Sequence, residues 1–183
     1  PARFAEYDSG AQFAADTSLY AQKDIIPCVV KVSSSSSGDG VYICQSLSEL
    51  KAAQAAVATI DVSVLVEQFI QTAKNYAIHF GIPHDRNKQI DIIGFNEQLT
   101  TSDGEFLGGI ITDEDFPIEL KPVKDYLLND VLPAVRAKGW YGIGGYDVIV
   151  DPLGGAYLID GNFRMTGMSA YHFLMANGNI HKP

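Results

Sequence analysis

The sequence predicts a strand-rich α+β fold, and three observations carry that prediction. Short runs rich in Val, Ile, Tyr and Phe recur between clusters of Gly, Pro, Ser and Asp, the pattern of strands bounded by turns. Only a few stretches keep the three-to-four apolar spacing of an amphipathic helix, and they fall between the strand runs. Residues 146–164, YDVIVDPLGGAYLIDGNFR, read as a β-hairpin in which Pro152, Leu153, Gly154 and Gly155 turn the chain between two β-rich runs.

Taken in order, residues 1–24 carry a weak helical pattern over 11–22. Residues 25–32, IIPCVVKV, make a strand with Pro27 at its start or on an edge, and the low-complexity loop 33–40, SSSSSGDG, leads to the returning strand 41–44. Ser46-Leu47-Ser48-Glu49 is a capping box ahead of an Ala-rich helix that runs to about Ala58. Residues 63–70, SVLVEQFI, form a strand, and 74–80 and 89–95 are further strand candidates with a turn region over 81–85. Asp103-Gly104 marks a turn before a strand over 106–112. Residues 120–138 form a helix with Leu120, Val123, Leu127, Val131 and Val135 on its apolar face, Gly139 at its end and a kink or break at Pro133. A tail from 169 begins another helix.

At 183 residues, 46% hydrophobic and 19% charged, the chain has room for one domain or two small lobes with a core. A net charge of −9, from 13 basic and 22 acidic residues, excludes the basic surface that non-specific nucleic-acid binding requires. No apolar run approaches the roughly 20 residues of a membrane span, so the sequence implies no membrane partner. No signal peptide opens the chain, and its start at Pro1 without a Met reads as a processed chain or a piece of a longer one. Cys28 and Cys44 fall in two runs that pair; a contact between them is open, and buried reduced thiols in a cytoplasmic protein are the expected state.

The hairpin carries the chemistry. A turn centred between Leu153 and Gly154 places Asp147 directly opposite Asp160, and strand alternation puts Asn162 on the same face as Asp160. Opposed residues have Cβ atoms about 4.5–5.5 Å apart, and like charges there repel unless a cation lies between them. Two carboxylates and an amide offer the hard oxygen ligands that suit Mg²⁺, or Mn²⁺ in its place, with phosphate oxygens completing the shell. Arg164 follows on that face if the strand continues. The competing reading is a solvated hairpin with polar outer positions.

Lys31 ends an apolar strand and stands before a Ser/Gly loop. Ser36, Ser37, Gly38 and Gly40 present hydroxyls and backbone N–H groups that can cradle phosphate oxygens, with Lys31 as a point charge. No Gly-Lys-Ser/Thr ends the loop, so it is not a Walker A loop, and the alternative is a serine linker within a hairpin. Val64, Leu65 and Val66 can supply an extended backbone and apolar walls for a base, with Glu67 accepting from its amino group or from ribose hydroxyls; otherwise this is an edge strand ending in polar residues. His79, His84, His172 and His181 lack ligand spacing and read as surface or packing residues.

In this order, PCVVKVSSSSSGDGV, VLVEQFI and GYDVIVDPLGGAYLIDGNFRMTG resemble the lysine strand and phosphate loop, the adenine linker and the metal-binding hairpin of the ATP-grasp superfamily. The resemblance implies two antiparallel-sheet lobes with helices and ATP held between them. It divides the chain into a lead-in (1–24), a lid lobe (25–70) and a C-terminal lobe (71–183). It also implies that Lys31 contacts ATP phosphates, Glu67 the adenine–ribose end, and Asp147, Asp160 and Asn162 hold Mg²⁺. Arg164 would then stabilise the transferred phosphoryl group. The implied activity is a carboxylate–amine ligase, with small-molecule carboxylate and amine substrates and an acyl phosphate between them. An N-terminal domain of the same protein would complete the substrate side. Asp160 stands where a Glu is usual, and Lys74 and Asn75 where an acid is usual. The alternatives are a non-catalytic ATP-binding module and a biotin-carboxylase-like enzyme.

Overall fold

Alternate valines and a cysteine in Cys28–Val32 are buried while their neighbours are half-buried, the signature of a strand with one face on a core. In the computed structural model, which describes residues 3–33, 40–101, 106–111 and 115–176, this is strand β2 of a four-stranded antiparallel sheet. Its order is β1 (Arg3–Tyr7), β4 (Val64–Gln68), β2, β3 (Val41–Cys44). The chain divides into two compact units, residues 1–70 and 71–183, and this sheet belongs to the first. Helices α1 (Gly10–Ala15) and α2 (Leu47–Val57) belong to the same unit, and Phe13, Leu50 and Val57 bury fully in a core with Val30, Val64 and Val66.

The Ser46 half of the capping box forms, and Glu49 reaches one residue past the N-cap. Ser46 Oγ accepts from Glu49 N at 3.3 Å, and the Glu49 carboxylate accepts from Gln45 N at 2.6 Å. The weak helical pattern over 11–22 falls on α1 and a 3₁₀ turn at Ser18–Ala21, and the residues before it supply β1, which pairs with β4.

The second unit holds a five-stranded antiparallel sheet in the order β7 (Phe106–Ile110), β6 (Asp91–Thr100), β5 (Lys74–Ile82), β8 (Gly142–Val150), β9 (Ala156–Asn162). Tyr76, Ile78, Phe80 and Ile82 on β5, with Val148 and Val150 on β8, point into a core closed by Leu120, Val123, Leu127 and Leu132. The expected helix over 120–138 runs as α3 (Lys121–Tyr126), a π-helical turn at Leu127–Val131 and α4 (Leu132–Ala137). Pro133 lacks an N–H and would clash with a carbonyl in a regular helix; the wider turn accommodates it without a break. The extra residue moves the buried position after Leu127 from Val131, as regular spacing predicts, to Leu132. Helix α5 (Ser169–Ala176) follows β9. No helix among the described residues is long and apolar enough to cross a membrane.

Leu132→Ala should therefore cost about 2–5 kcal/mol, as for other fully buried leucines. Val131→Ala should cost clearly less, and urea unfolding of the two variants measures the difference.

Candidate active site

The β8–β9 hairpin sets the site. Its turn is held by Asp151, whose Oδ1 accepts from Leu153 N and Gly155 N at 2.8 Å each; these backbone bonds keep its carboxyl below the usual range. Gly154 adopts φ 87°, a left-handed conformation that favours glycine. Next to this turn Val150 pairs with Ala156 and Val148 with Leu158, one residue out of step with the turn centre expected from sequence. A β-bulge then restores the expected register, and Asp147 lies directly opposite Asp160. The bulge also changes faces. Ala156 and Leu158 lie against the core, so an unbroken strand would send Asp160 and Asn162 there too. Beyond the bulge it is Gly161 and Phe163 that meet the aromatic side chains of Tyr146 and Phe80, and Asp160 and Asn162 share the opposite face with Asp147.

That face is polar. Asn162 Nδ2 donates to Asp147 Oδ2 at 3.2 Å, and Gln98 Nε2 on β6 donates to Oδ1 at 2.7 Å. Gln98 reaches β8 across β5, where Ala77 is the residue paired with Asp147 and leaves room for the longer side chain. Burial pushes the Asp147 carboxyl up to about 6; the Gln98 hydrogen bond opposes this, and the charge of Asp160 adds to it. Asn162 and the Arg164 charge pull it down. Strand β9 ends at Asn162, so Arg164 lies beyond it, exposed, with Nη1 donating to Met165 O at 3.3 Å. Among the described residues no three His, Cys, Asp or Glu side chains converge as metal ligands, so the donor set here is two carboxylates and an amide. Hard oxygens and an uncompensated pair of acids fit a divalent cation.

Sequence reasoning missed Gln98, which nothing local distinguishes from any polar strand residue. It also treated the histidines singly. His79 and His172 stack with ring centroids 4.6 Å apart, 93 residues apart in sequence. His79 Nε2 meets Asn96 Oδ1 at 2.7 Å, and its Nδ1 lies 3.2 Å from Ser169 Oγ and 3.4 Å from Thr166 Oγ1. A side chain at Gly94 would collide with the His172 ring, so only glycine fits beneath it. Burial, then the neighbouring His79, lowers the His172 pKa to about 4. These contacts pin the segment that follows Arg164.

In the first unit Lys31 Nζ lies 2.8 Å from Glu67 Oε2, both largely buried. Of the proposed phosphate loop only its ends are described: Ser33 N donates to Ser63 O at 2.9 Å and the Gly40 carbonyl accepts from Val32 N at 3.0 Å, while Ser36, Ser37 and Gly38 lie outside the described residues. The expectation that Val64, Leu65 and Val66 offer a base their backbone meets an obstacle. Strand β4 is paired by β1 on one side and β2 on the other, which uses those groups, and Val64 and Val66 point into the core. Among the described residues Gln68 is paired with β2 alone.

Residues 12–162 match the family described as L-aspartate–L-methionine ligase, ATP grasp. The chain belongs to this ATP-grasp family. Among solved structures it is similar to the N5-carboxyaminoimidazole synthetase of Staphylococcus aureus complexed with ADP, at 13% identity and a TM-score of 0.69, covering 93% of this chain and 42% of that one. It is also similar to D-alanyl-alanine synthetase A of Vibrio cholerae, at 16% identity and a TM-score of 0.68, covering 97% of this chain and 55% of that one. The L-amino acid ligase of Bacillus licheniformis matches at 20% identity and a TM-score of 0.59, covering 95% and 38%. These likenesses establish the ATP-grasp fold. The chain spans about two fifths to just over half the length of these structures.

Folded Asp147 holds its proton to about pH 6, against roughly 3.9 for an unfolded aspartate. The unfolded chain binds fewer protons in that window, so this group makes stability fall as pH rises from about 4 to 6. Asp160→Asn removes the facing charge and should lower the Asp147 pKa. Carboxyl NMR titration of both proteins checks this, and an unmoved Asp147 would mean the two acids are not electrically close.

Proposed function

We propose that this ATP-grasp chain binds MgATP and activates a carboxylate as an acyl phosphate, which an amine then captures with release of phosphate. The observation that carries the reading is the Asp147–Asp160–Asn162 constellation on one face of a hairpin, within a chain whose family is described as a ligase. Asp147, Asp160 and Asn162 would hold Mg²⁺, with Mn²⁺ as a substitute. The metal, when bound, neutralises phosphate charge. Lys31 serves the phosphates together with Ser36, Ser37, Gly38 and Gly40; it leaves or shares Glu67 to do so. Because the backbone of Val64 to Val66 is used within the sheet, base recognition moves to the stretch that leaves β4 at Gln68, with Val64, Leu65 and Val66 packing behind it. Glu67 remains at the ribose end. Arg164 meets charge that develops on the transferred phosphoryl group; no protein nucleophile is needed, since such transfers rest on positioning and charge neutralisation. The family description supplies the first substrates to test, L-aspartate and L-methionine.

Lys31→Ala should weaken MgATP binding at least about tenfold, or ~1.4 kcal/mol, by calorimetry on folded parent and variant. Equal affinities would remove Lys31 from the phosphate site.

In the complete protein, MgATP with L-aspartate or L-methionine as the carboxylate and hydroxylamine as the amine should give a hydroxamate and ADP. Arg164→Ala should slow this step more than it weakens ATP binding. AMP and pyrophosphate as products would exclude the acyl-phosphate route. Absence of any nucleotide cleavage, with MgATP bound, would select the non-catalytic module.

A further inference from the structure

Cys28 and Cys44 occupy directly opposed positions on β2 and β3, and both side chains are buried in the first unit's core. Val32 N donates to Gly40 O at 3.0 Å across the same hairpin. Residues paired directly across an antiparallel ladder alternate between hydrogen-bonded and non-hydrogen-bonded pairs, and the register from Lys31–Val41 to Cys28–Cys44 is unbroken. Val32–Gly40 and Cys28–Cys44 are four residues apart on each strand, so both are hydrogen-bonded pairs. Such pairs have Cα atoms about 5.5 Å apart. That falls inside the roughly 4.4–6.8 Å that a disulfide spans, close to its commonest value. The Cβ atoms of both residues point to the same face, since β2 buries Cys28, Val30 and Val32 in alternation and Cys44 is buried beside them.

We propose that Cys28 and Cys44 form a reversible disulfide that staples the base of the hairpin bearing Lys31. Two thiols give up two protons and two electrons to a low-molecular-weight disulfide such as oxidised glutathione. One S–S bond forms in the protein as the S–S bond of the oxidant breaks, leaving two reduced glutathione molecules. The two thiols interact directly, which favours the thiolate of one at the expense of the other, and that thiolate attacks the oxidant first. Access comes from the sheet edge: among the described residues β3 has a single neighbour, and Val41 and Ile43 on it are 42% and 52% exposed. A strand held from one side opens locally at lower cost than a central one. The oxidised hairpin keeps the strand pairing that places Lys31 opposite Val41, so the staple restrains the segment on which the phosphate-loop reading depends. The proposal itself stands on the cysteine geometry and not on that reading.

The test uses the chain as isolated, fully reduced and then incubated with oxidised glutathione. Thiols titrated in denaturant should fall from two to none per chain, and peptide mapping should find Cys28 linked to Cys44, with dithiothreitol restoring both thiols. Two thiols that still titrate, or glutathione adducts without a cross-link, would overturn the proposal. Amide exchange at Tyr42 and Cys44, whose N–H groups face β2 in the hydrogen-bonded pairs, should slow at least about tenfold in the oxidised chain, because edge opening is blocked. Unchanged exchange in a demonstrably cross-linked chain would overturn the stapling role. Neither readout involves ATP, so failure here leaves the nucleotide reading untouched, and loss of MgATP binding on Lys31→Ala leaves the disulfide untouched.

Discussion

One backbone irregularity decides where the chemistry of the second unit lies. Strand side chains alternate with a period of two, so a single extra residue sends every later side chain to the other face. Between Leu158 and Asp160 on β9 that extra residue is present. Before it, Ala156 and Leu158 fill the core with Val148 and Val150. After it, Asp160 and Asn162 join Asp147 on the polar face, and Gly161 and Phe163 take over the core side. Without the bulge two polar side chains would point into an aromatic cluster of Phe80, Trp140 and Tyr146, at a cost in desolvation.

The same alternation on β5 explains why the polar face is supported rather than merely solvated. Even-numbered residues from Tyr76 to Ile82 are committed to the core, so the odd-numbered positions must carry what the site needs. Ala77 provides clearance for Gln98 to reach Asp147, and His79 ties Asn96 to Thr166 and Ser169. Burial disfavours a charged imidazole at His79, and a neutral ring can accept at Nδ1 while donating at Nε2. That pattern matches hydroxyls on one side and an amide oxygen on the other. The segment carrying Arg164 is thus fixed from behind by neutral hydrogen bonds.

Much of this was legible in the sequence because it is local. The capping box at Ser46, the hairpin pairing of Cys28–Val32 with Val41–Cys44 and the opposition of Asp147 to Asp160 follow from residue types a few positions apart. The acid pair came out in register although the turn is centred one residue away from the expected place, since the bulge compensates. What could not be read depends on distant partners. The pairing of β1 with β4, the stacking of His79 on His172 and the reach of Gln98 each join residues 49 or more apart in sequence. The π-helical turn was hidden for a different reason: Pro133 signals trouble in a helix but not whether the helix breaks, kinks or widens.

The two units treat their functional charges in opposite ways, and the contrast bears on what each charge awaits. Lys31 is already answered by Glu67 at 2.8 Å, so it is ordered and neutralised before any anion arrives. If Lys31 serves phosphates as proposed, an incoming phosphate would compete with a carboxylate, a threshold that favours multiply charged anions over singly charged ones. Asp147 takes its side-chain hydrogen bonds from amides, with the Arg164 charge acting on it from beyond the strand. Gln98 and Asn162 fix both of its oxygens without cancelling its charge, and Asp160 faces it with the same sign. A lysine in place of Gln98 could supply a hydrogen bond and also neutralise the carboxylate. Neutral donors instead preserve a geometrically defined acid pair, and burial first, with the charge of Asp160 after it, raises the Asp147 pKa in the folded state. Such an arrangement is unfavourable for stability alone and favourable for a site that must attract a cation and hold it in one place.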